Sequence, residues 1–311
     1  MEPYPENYHS NLQKTSHLAA RVMVPLLLKW VHPLRSVVDV GCGTGEWLAV
    51  FEEHNVEDVC GIDGDYVDKR MLAFPRERFI AHDLSCPLSL GRRFDLVMSL
   101  EVAEHLPVES AETFVRSLVN LGDVILFSAA IPGQGGHHHV NLQWQDYWAE
   151  LFAQEGYAAV DCLRDYVWND QRVATWYAQN TILYVEHERL KDEQTLKREY
   201  ELRGTSRLSL VHPRLWEAQM SEVVQERERA TQEQERAKQE RERAKQERIK
   251  AERQRQRAKR QQERVDRLKT KLQARRSPWP RFLRRLSPKK RFGKIRIGST
   301  SGSQESVKRG K

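Results

Sequence analysis

The spacing of polar and apolar positions changes character twice along this chain. Up to about residue 187, short apolar runs alternate with stretches of helical spacing. Val37-Val38-Asp39-Val40 is such a run. It is followed by Gly41-Cys42-Gly43-Thr44-Gly45 and then by Glu46-Trp47-Leu48-Ala49-Val50-Phe51. That order predicts a buried strand, a tight turn and the start of an amphipathic helix. Residues 58–63, 78–84, 94–101 and 123–128 predict four further strands, and residues 144–155 a helix. Apolar positions at helical spacing follow Pro107, and Ser16 is a candidate cap for a helix through Leu18, Val22, Leu26 and Leu27, with Pro25 marking a kink or restart. Strands alternating with helices argue for a doubly wound α/β sheet.

Beyond residue 187 the pattern dissolves. Residues 188–216 are mixed in character, broken at Gly204 and Pro213, and are assigned as a connector. A seven-residue period then takes over: Val223, Ala230, Ala237, Ala244, Ala251, Ala258, Val265 and Leu272. The positions three residues on are Glu or Gln until Leu268, so one alanine stripe buries little. Glu226, Arg229, Glu233, Arg236, Glu240, Arg243, Glu247 and Lys250 form a ladder three and four apart, each pair adding about 0.2–0.5 kcal/mol to a helix. We expect a long charged helix over 217–275, either free-standing or self-associating as a weak coiled coil. Residues 276–311 form a tail in which Trp279, Phe282, Leu283, Leu286 and Phe292 are interleaved with cations, and its last dozen residues are Gly/Ser-rich.

Charge sharpens this division. The net formal charge of +7 combines −13 over residues 1–187, zero over 188–247 and +20 over 248–311. The four cysteines show no C-x-x-C spacing, which suits a reducing compartment and argues against a disulfide framework or zinc site. The acidic N-terminus has no apolar h-region, and the best apolar run, Val22–Val31, falls well short of the roughly 20 residues that span a bilayer. The expected location is cytoplasmic, with peripheral attachment to the inner face of the membrane through the tail.

The glycine turn carries the first chemistry. Alternate glycines allow positive φ and close approach of a ligand to the backbone. The spacing is G-x-G-x-G, Glu46 stands where a dinucleotide fingerprint needs glycine, and no Lys-Ser/Thr follows as in a P-loop. A carboxylate at a helix N-terminus competes with a pyrophosphate for the same dipole. A ligand with a cationic centre, such as S-adenosylmethionine (SAM), fits better. Asp63, 18 residues after Gly45, ends the second strand where an acid can accept ribose hydroxyls. Asp83 ends the third, and the fourth runs into Glu101-Val102-Ala103-Glu104-His105.

With these motifs in this order, residues 16–186 resemble the class I SAM-dependent methyltransferases, in the branch with an E-x-x-E-H segment after strand four. The resemblance implies a Rossmann-like seven-stranded sheet over residues 1–187, with residues 157–168 and 180–186 as its antiparallel edge pair. It also implies SAM as cofactor, held by Asp39, Gly41, Gly43, Gly45, Asp63, Asp83, Leu84 and Leu100. Arg21 either reaches the methionine carboxylate or is a surface arginine. A His-Val-Asn-x-x-Trp lid after strand five implies His139 as general base, with Glu101 and His105 as further catalytic candidates. If the segment is helical, Glu101, Glu104 and His105 share a face. With His138 they are an alternative divalent-metal set, because small-RNA 3′-terminal 2′-O-methyltransferases use such a group.

Three functions follow. The first is O-methylation of a sugar or other small polar hydroxyl, since similar proteins with a coiled coil and a basic tail accompany bacterial surface-glycan machinery. The second is metal-assisted RNA 2′-O-methylation, which the −13 of the catalytic domain disfavours. The third is a scaffold with a relict fold. For the tail, an anionic membrane or membrane-bound assembly is the favoured partner, with nucleic acid and the acidic domain as alternatives.

Overall fold

The computed structural model describes residues 8–203 and 207–275; expectations for residues 1–7, 204–206 and the 276–311 tail lie outside them. Seven strands form one mixed sheet: β1 (Ser36–Val40), β2 (Asp58–Asp63), β3 (Phe79–Ala81), β4 (Leu96–Leu100), β5 (Val124–Ser128), β6 (Tyr157–Val160) and β7 (Ile182–Glu186). Their order is β3-β2-β1-β4-β5-β7-β6. β1 to β5 run parallel, and β7 pairs antiparallel with β5 and β6. This is the doubly wound, Rossmann-like sheet expected from the strand–helix alternation. β1 lies between β2 and β4, so the chain reverses direction across the sheet there. A crevice at the carboxyl ends of β1 and β4 is where such sheets bind ligands.

The helices are α1 (Tyr8–Trp30), α2 (Glu46–Glu53), α3 (Ala111–Leu121), α4 (Gln145–Gln154), α5 (Arg164–Val167), α6 (Thr175–Asn180), α7 (His187–Asp192), α8 (Gln194–Arg203) and α9 (Pro213–Arg275). Successive strand residues serve opposite faces. Val37, Leu96, Met98 and Leu126 join one core cluster with α1 and α2, while Val38, Val97, Ile125 and Phe127 join the other with α3 and α4. Both faces are covered, which is why the parallel strands are continuous apolar runs. Phe51 is fully buried, and truncating such a side chain to alanine costs about 3–5 kcal/mol.

Several boundaries differ from expectation. Ser16 is not a cap: α1 begins before it, continues through Pro25, and places Ser16 Oγ 3.0 Å from the Tyr177 hydroxyl. Ala19, Ala20, Met23, Val24 and Leu27 are buried, a continuous stripe that holds the helix together across the proline. The strand expected over 157–168 stops at Val160, and Arg164 starts α5 instead. Its buried guanidinium pairs with Asp161 at 2.7 Å and donates to the Leu208 carbonyl, also at 2.7 Å.

The assigned connector is also built into the body. Leu190 and Leu196 join the core on the α1 face, and Leu208 and His212 are buried as well. The long helix is present and spans 63 residues, with side chains 220–274 exposed. By compactness the chain divides at Thr231, within α9. Among the described residues, no helix is long and apolar enough to cross a membrane.

Candidate active site

The glycine turn folds as its sequence requires. Gly41, Gly43 and Gly45 have φ of 91°, 53° and 83°, in the left-handed region. A Cβ on Gly41 would lie 2.3 Å from Val102 Cγ2, and one on Gly45 would lie 2.1 Å from Phe74 Cδ1. Around Gly43 nothing lies within 4 Å of such a Cβ, so its surface is open to a ligand. Asp63 braces the turn: Oδ2 accepts from Gly43 N at 2.7 Å, and Oδ1 accepts from Gly64 N at 2.7 Å and the Tyr66 hydroxyl at 2.5 Å.

Asp39 is buried on β1, and burial together with the Asp63 charge raises its pKa to about 8. The ligand-free protein therefore keeps it neutral at pH 7, and a cation placed beside it would favour the ionised form. Asp83 lies beyond β3 and is exposed. Its Oδ1 accepts from Ser85 Oγ at 2.7 Å and Ser85 N at 3.0 Å, which lowers its pKa. Leu84 and Leu100 are buried at the adjoining strand ends. The open glycine surface and the buried acids fit SAM. Gly43 can pass its methionine portion, Asp39 can face its ammonium, and Asp63 can accept its ribose hydroxyls once Tyr66 turns out.

Helix α1 supplies contacts that sequence reading missed. Gln13 Nε2 donates to Thr44 Oγ1 at 3.3 Å, and His17 Nδ1 lies 3.4 Å from Glu46 Oε2. Burial pushes the Glu46 carboxyl up, against the pull of His17. Arg21 turns away from the cleft and forms an exposed ion pair with Glu53 at 2.7 Å. The i, i+4 spacing of Gln13 and His17 was the available signal, but polar residues there look like a solvent face.

The other wall begins at Glu101. The E-x-x-E-H segment is not one helix: Glu101 has φ of 56°, and only Ala103–His105 make a single 3-10 turn. Glu101 N donates to Ser128 O at 3.0 Å, holding that conformation. Its carboxylate accepts from Gln134 Nε2 at 2.9 Å and Asn180 Nδ2 at 3.1 Å. Glu104 is fully buried; no well-formed hydrogen bond reaches its carboxyl oxygens, whose neighbours are the Glu101 carboxyl and the backbone at Ala130. Burial and the Glu101 charge push the Glu104 carboxyl well above the usual carboxylate range.

Val140 N and Asn141 N both donate to the Glu104 carbonyl, at 2.8 and 3.1 Å. They hold His139 over the turn, its ring 4.9 Å from that of His105. Burial lowers the pKa of both imidazoles. His139 Nδ1 is buried without a partner, and its ring fills the space a side chain at Gly136 would need, 2.0 Å from a Cβ placed there. Donor atoms of Glu104, His105 and His139 lie within 4.8 Å of one another. Of the expected metal set, Glu104 and His105 belong to this group, while Glu101 and His138 do not. His138, at φ of 57°, packs against His137 with ring centroids 4.2 Å apart and planes tilted by 45°, and Glu101 is engaged by two amides.

A family profile described as a methyltransferase domain matches residues 12–206. A search of curated proteins found no match. Among solved structures, Streptomyces venezuelae DesVI is 16% identical, with 60% of this chain and 100% of that one covered, at a TM-score of 0.45. The sugar N-methyltransferase KedS8 from Streptoalloteichus is 17% identical, with 60% and 96% covered, at 0.44. The methyltransferase domain of bacterial CtHen1-C is 17% identical, with 55% and 98% covered, at 0.41. The profile spans more than half of the chain, so this protein belongs to the methyltransferase-domain family, and its domain has the doubly wound, Rossmann-like sheet described above.

Proposed function

We propose that the protein methylates a hydroxyl of a sugar or another small polar acceptor. The observation that carries this reading is the pair of imidazoles His105 and His139, both favoured in their neutral form and facing each other beside the cofactor cleft. SAM supplies an electrophilic methyl group on a positively charged sulfur, so the protein's task is to orient the acceptor and remove its proton. His139 Nδ1, buried and unpartnered, takes the hydroxyl proton as the acceptor oxygen bonds to the methyl carbon and the carbon–sulfur bond breaks. Glu101 orients the approach through its two amide partners. His105 supports the ring of His139. The −13 charge of residues 1–187 favours a small acceptor over a polyphosphate.

A second reading rests on Glu104. A buried carboxyl that no well-formed hydrogen bond reaches, beside two imidazoles whose pKa burial lowers, is a nitrogen–oxygen donor set suited to a divalent transition ion. Such an ion would draw a hydroxyl's proton pKa down and hold its oxygen. The RNA 2′-O-methylation alternative belongs to this reading.

The test is incubation with labelled SAM against nucleotide sugars, polysaccharide extract and RNA, with and without chelator. Label entering the sugar or glycan pool, insensitive to chelator, supports the first reading. Label entering RNA, or activity lost to chelator and restored by a divalent ion, moves the conclusion to the second.

A further inference from the structure

A hydrogen-bonded chain runs from the base of α9 to Glu101, and each link has a fixed polarity. The backbone N–H of His212, the residue before α9, donates to Gln179 Oε1 at 2.7 Å. With its oxygen engaged, the Gln179 amide turns its Nε2 donor to Asn180 Oδ1 at 2.8 Å. Asn180 is left with its Nδ2 donor for Glu101 Oε1 at 3.1 Å and Gln134 Oε1 at 2.9 Å. Gln134 closes the ring by donating to Glu101 Oε2. A carboxamide has a donor end and an acceptor end, so fixing one end fixes the other. Gln179 and Asn180 are 0% and 2% exposed, where a lost link finds little water to replace it.

The start of this chain is itself firmly held, by residues beyond the 12–206 match. His212 Nδ1 accepts from Arg214 N at 3.1 Å and so caps the first turn of α9, while Nε2–H donates to the Trp168 carbonyl at 2.7 Å. Gln145 Nε2 donates to the Leu210 carbonyl at 3.3 Å, and Ser209 Oγ donates to Asp146 at 2.5 Å. Two turns into α9, Gln219 lies against the histidine loop, with its Oε1 3.3 Å from a Cβ placed on Gly133.

From this juxtaposition we infer that residues 207–219 complete the active site. The strap before α9 sets the orientation of the Gln179 and Asn180 amides, and through them the position of Glu101 and of the histidine loop. Gln179 and Asn180 are positioning residues. The inference relies on the proposed function only in placing Glu101 beside the reacting groups.

Hydrogen–deuterium exchange on the full-length protein tests it without knowledge of the acceptor. Gln179→Met removes both links while leaving Glu101, Gln134, Asn180 and the strap unaltered. We expect exchange to rise about tenfold in 207–219 and also in 101–106 and 131–141, with β1 and β2 unchanged. His212→Gly keeps the backbone N–H but loosens the strap, and carries the test if Gln179→Met fails to fold. Faster exchange confined to 207–219, or unchanged exchange at 101–106, overturns the inference. With an acceptor in hand, Gln179→Met is expected to lower kcat at least tenfold with SAM affinity held within twofold. An acceptor outside the pools proposed above would leave the exchange result intact, so the two ideas fail separately.

Discussion

Asp63 and Glu104 are both buried carboxyl groups near strand ends, and the protein treats them in opposite ways. Both Asp63 oxygens have donors, two of them backbone N–H groups of the glycine-rich segments. No well-formed hydrogen bond reaches either Glu104 oxygen, whose neighbours are the Glu101 carboxyl and the Ala130 backbone, and His139 Nδ1 is orphaned beside it. A buried polar group without a partner costs about 1–3 kcal/mol. The cofactor wall is therefore complete by itself, organised by backbone geometry before anything binds. The acceptor wall leaves Glu104 and His139 Nδ1 short of hydrogen bonds. A cost of that size is tolerated where a proton, an ion or a substrate makes use of it.

The comparison breaks most easily on the acceptor wall. His139→Ala is expected to lower turnover by about 10²–10⁴-fold while leaving SAM affinity unchanged. Gly136→Ala should do nearly the same, because the added Cβ displaces the His139 ring. Single-turnover transfer of labelled methyl, with calorimetry for SAM, reads both quantities. Unchanged turnover in both variants would move the base to His105.

On the cofactor wall, the corresponding change is Asp63→Ala. Losing a charged acceptor of this kind costs about 1.5–3 kcal/mol, which is roughly 10–150-fold in affinity for SAM or its demethylated product. Equal affinity of mutant and wild type would mean that Asp63 only braces Gly43 and Gly64, and that the ribose is held elsewhere.

Asp39 sharpens the contrast in a different variable. Its pKa is raised from 3.8 to about 8, so the folded protein holds a proton there that the unfolded chain releases. Native stability contributed by this group therefore falls as pH rises from about 4 to about 8. Binding a cation beside Asp39 reverses that preference and expels the proton. SAM affinity is expected to rise up to about tenfold per pH unit between about pH 6 and 8, with the dependence flattened in Asp39→Asn. Calorimetry in buffers of different ionisation enthalpy would register the released proton directly. A flat profile in the wild type would put the ammonium away from Asp39.

These differences track what the sequence could reveal. The cofactor wall was legible because its residues are tied to local backbone: an apolar run, alternating glycines, and an acid at the end of the next strand. The acceptor wall depends on contacts across long sequence separations. Glu101 meets Gln134 and Asn180, which are 33 and 79 residues away. No local pattern marks an asparagine at the end of a short helix as the partner of a carboxylate. The E-x-x-E-H segment invited a helical spacing argument, yet the Ser128 contacts force Glu101 into the left-handed region. Even so, Glu104, His105 and His139 converge, with the loop register selecting His139 over His138. The connector failed for a related reason. Leu190, Leu196 and Leu208 are isolated apolar positions, and only the folded body shows what covers them.

The smallest expected effect compares two positions along one side of α1. Arg21 was a candidate for the methionine carboxylate, but its guanidinium pairs with Glu53 while both side chains remain substantially exposed. Exposed pairs of this kind contribute about 0–1 kcal/mol, because water screens them and two long side chains lose freedom. Arg21→Ala should therefore shift SAM affinity less than about twofold. Gln13 lies about two turns earlier along the same side of the helix, with its amide on the Thr44 hydroxyl of the glycine turn. That bond fixes the lip of the turn beside the open surface of Gly43. Gln13→Ala is expected to weaken SAM binding about two- to tenfold, the range of a single neutral hydrogen bond. The two variants form one calorimetric experiment on the same helix. If Arg21→Ala proved the more damaging, α1 would have to rotate when the cofactor binds, and the cofactor wall would not be complete by itself.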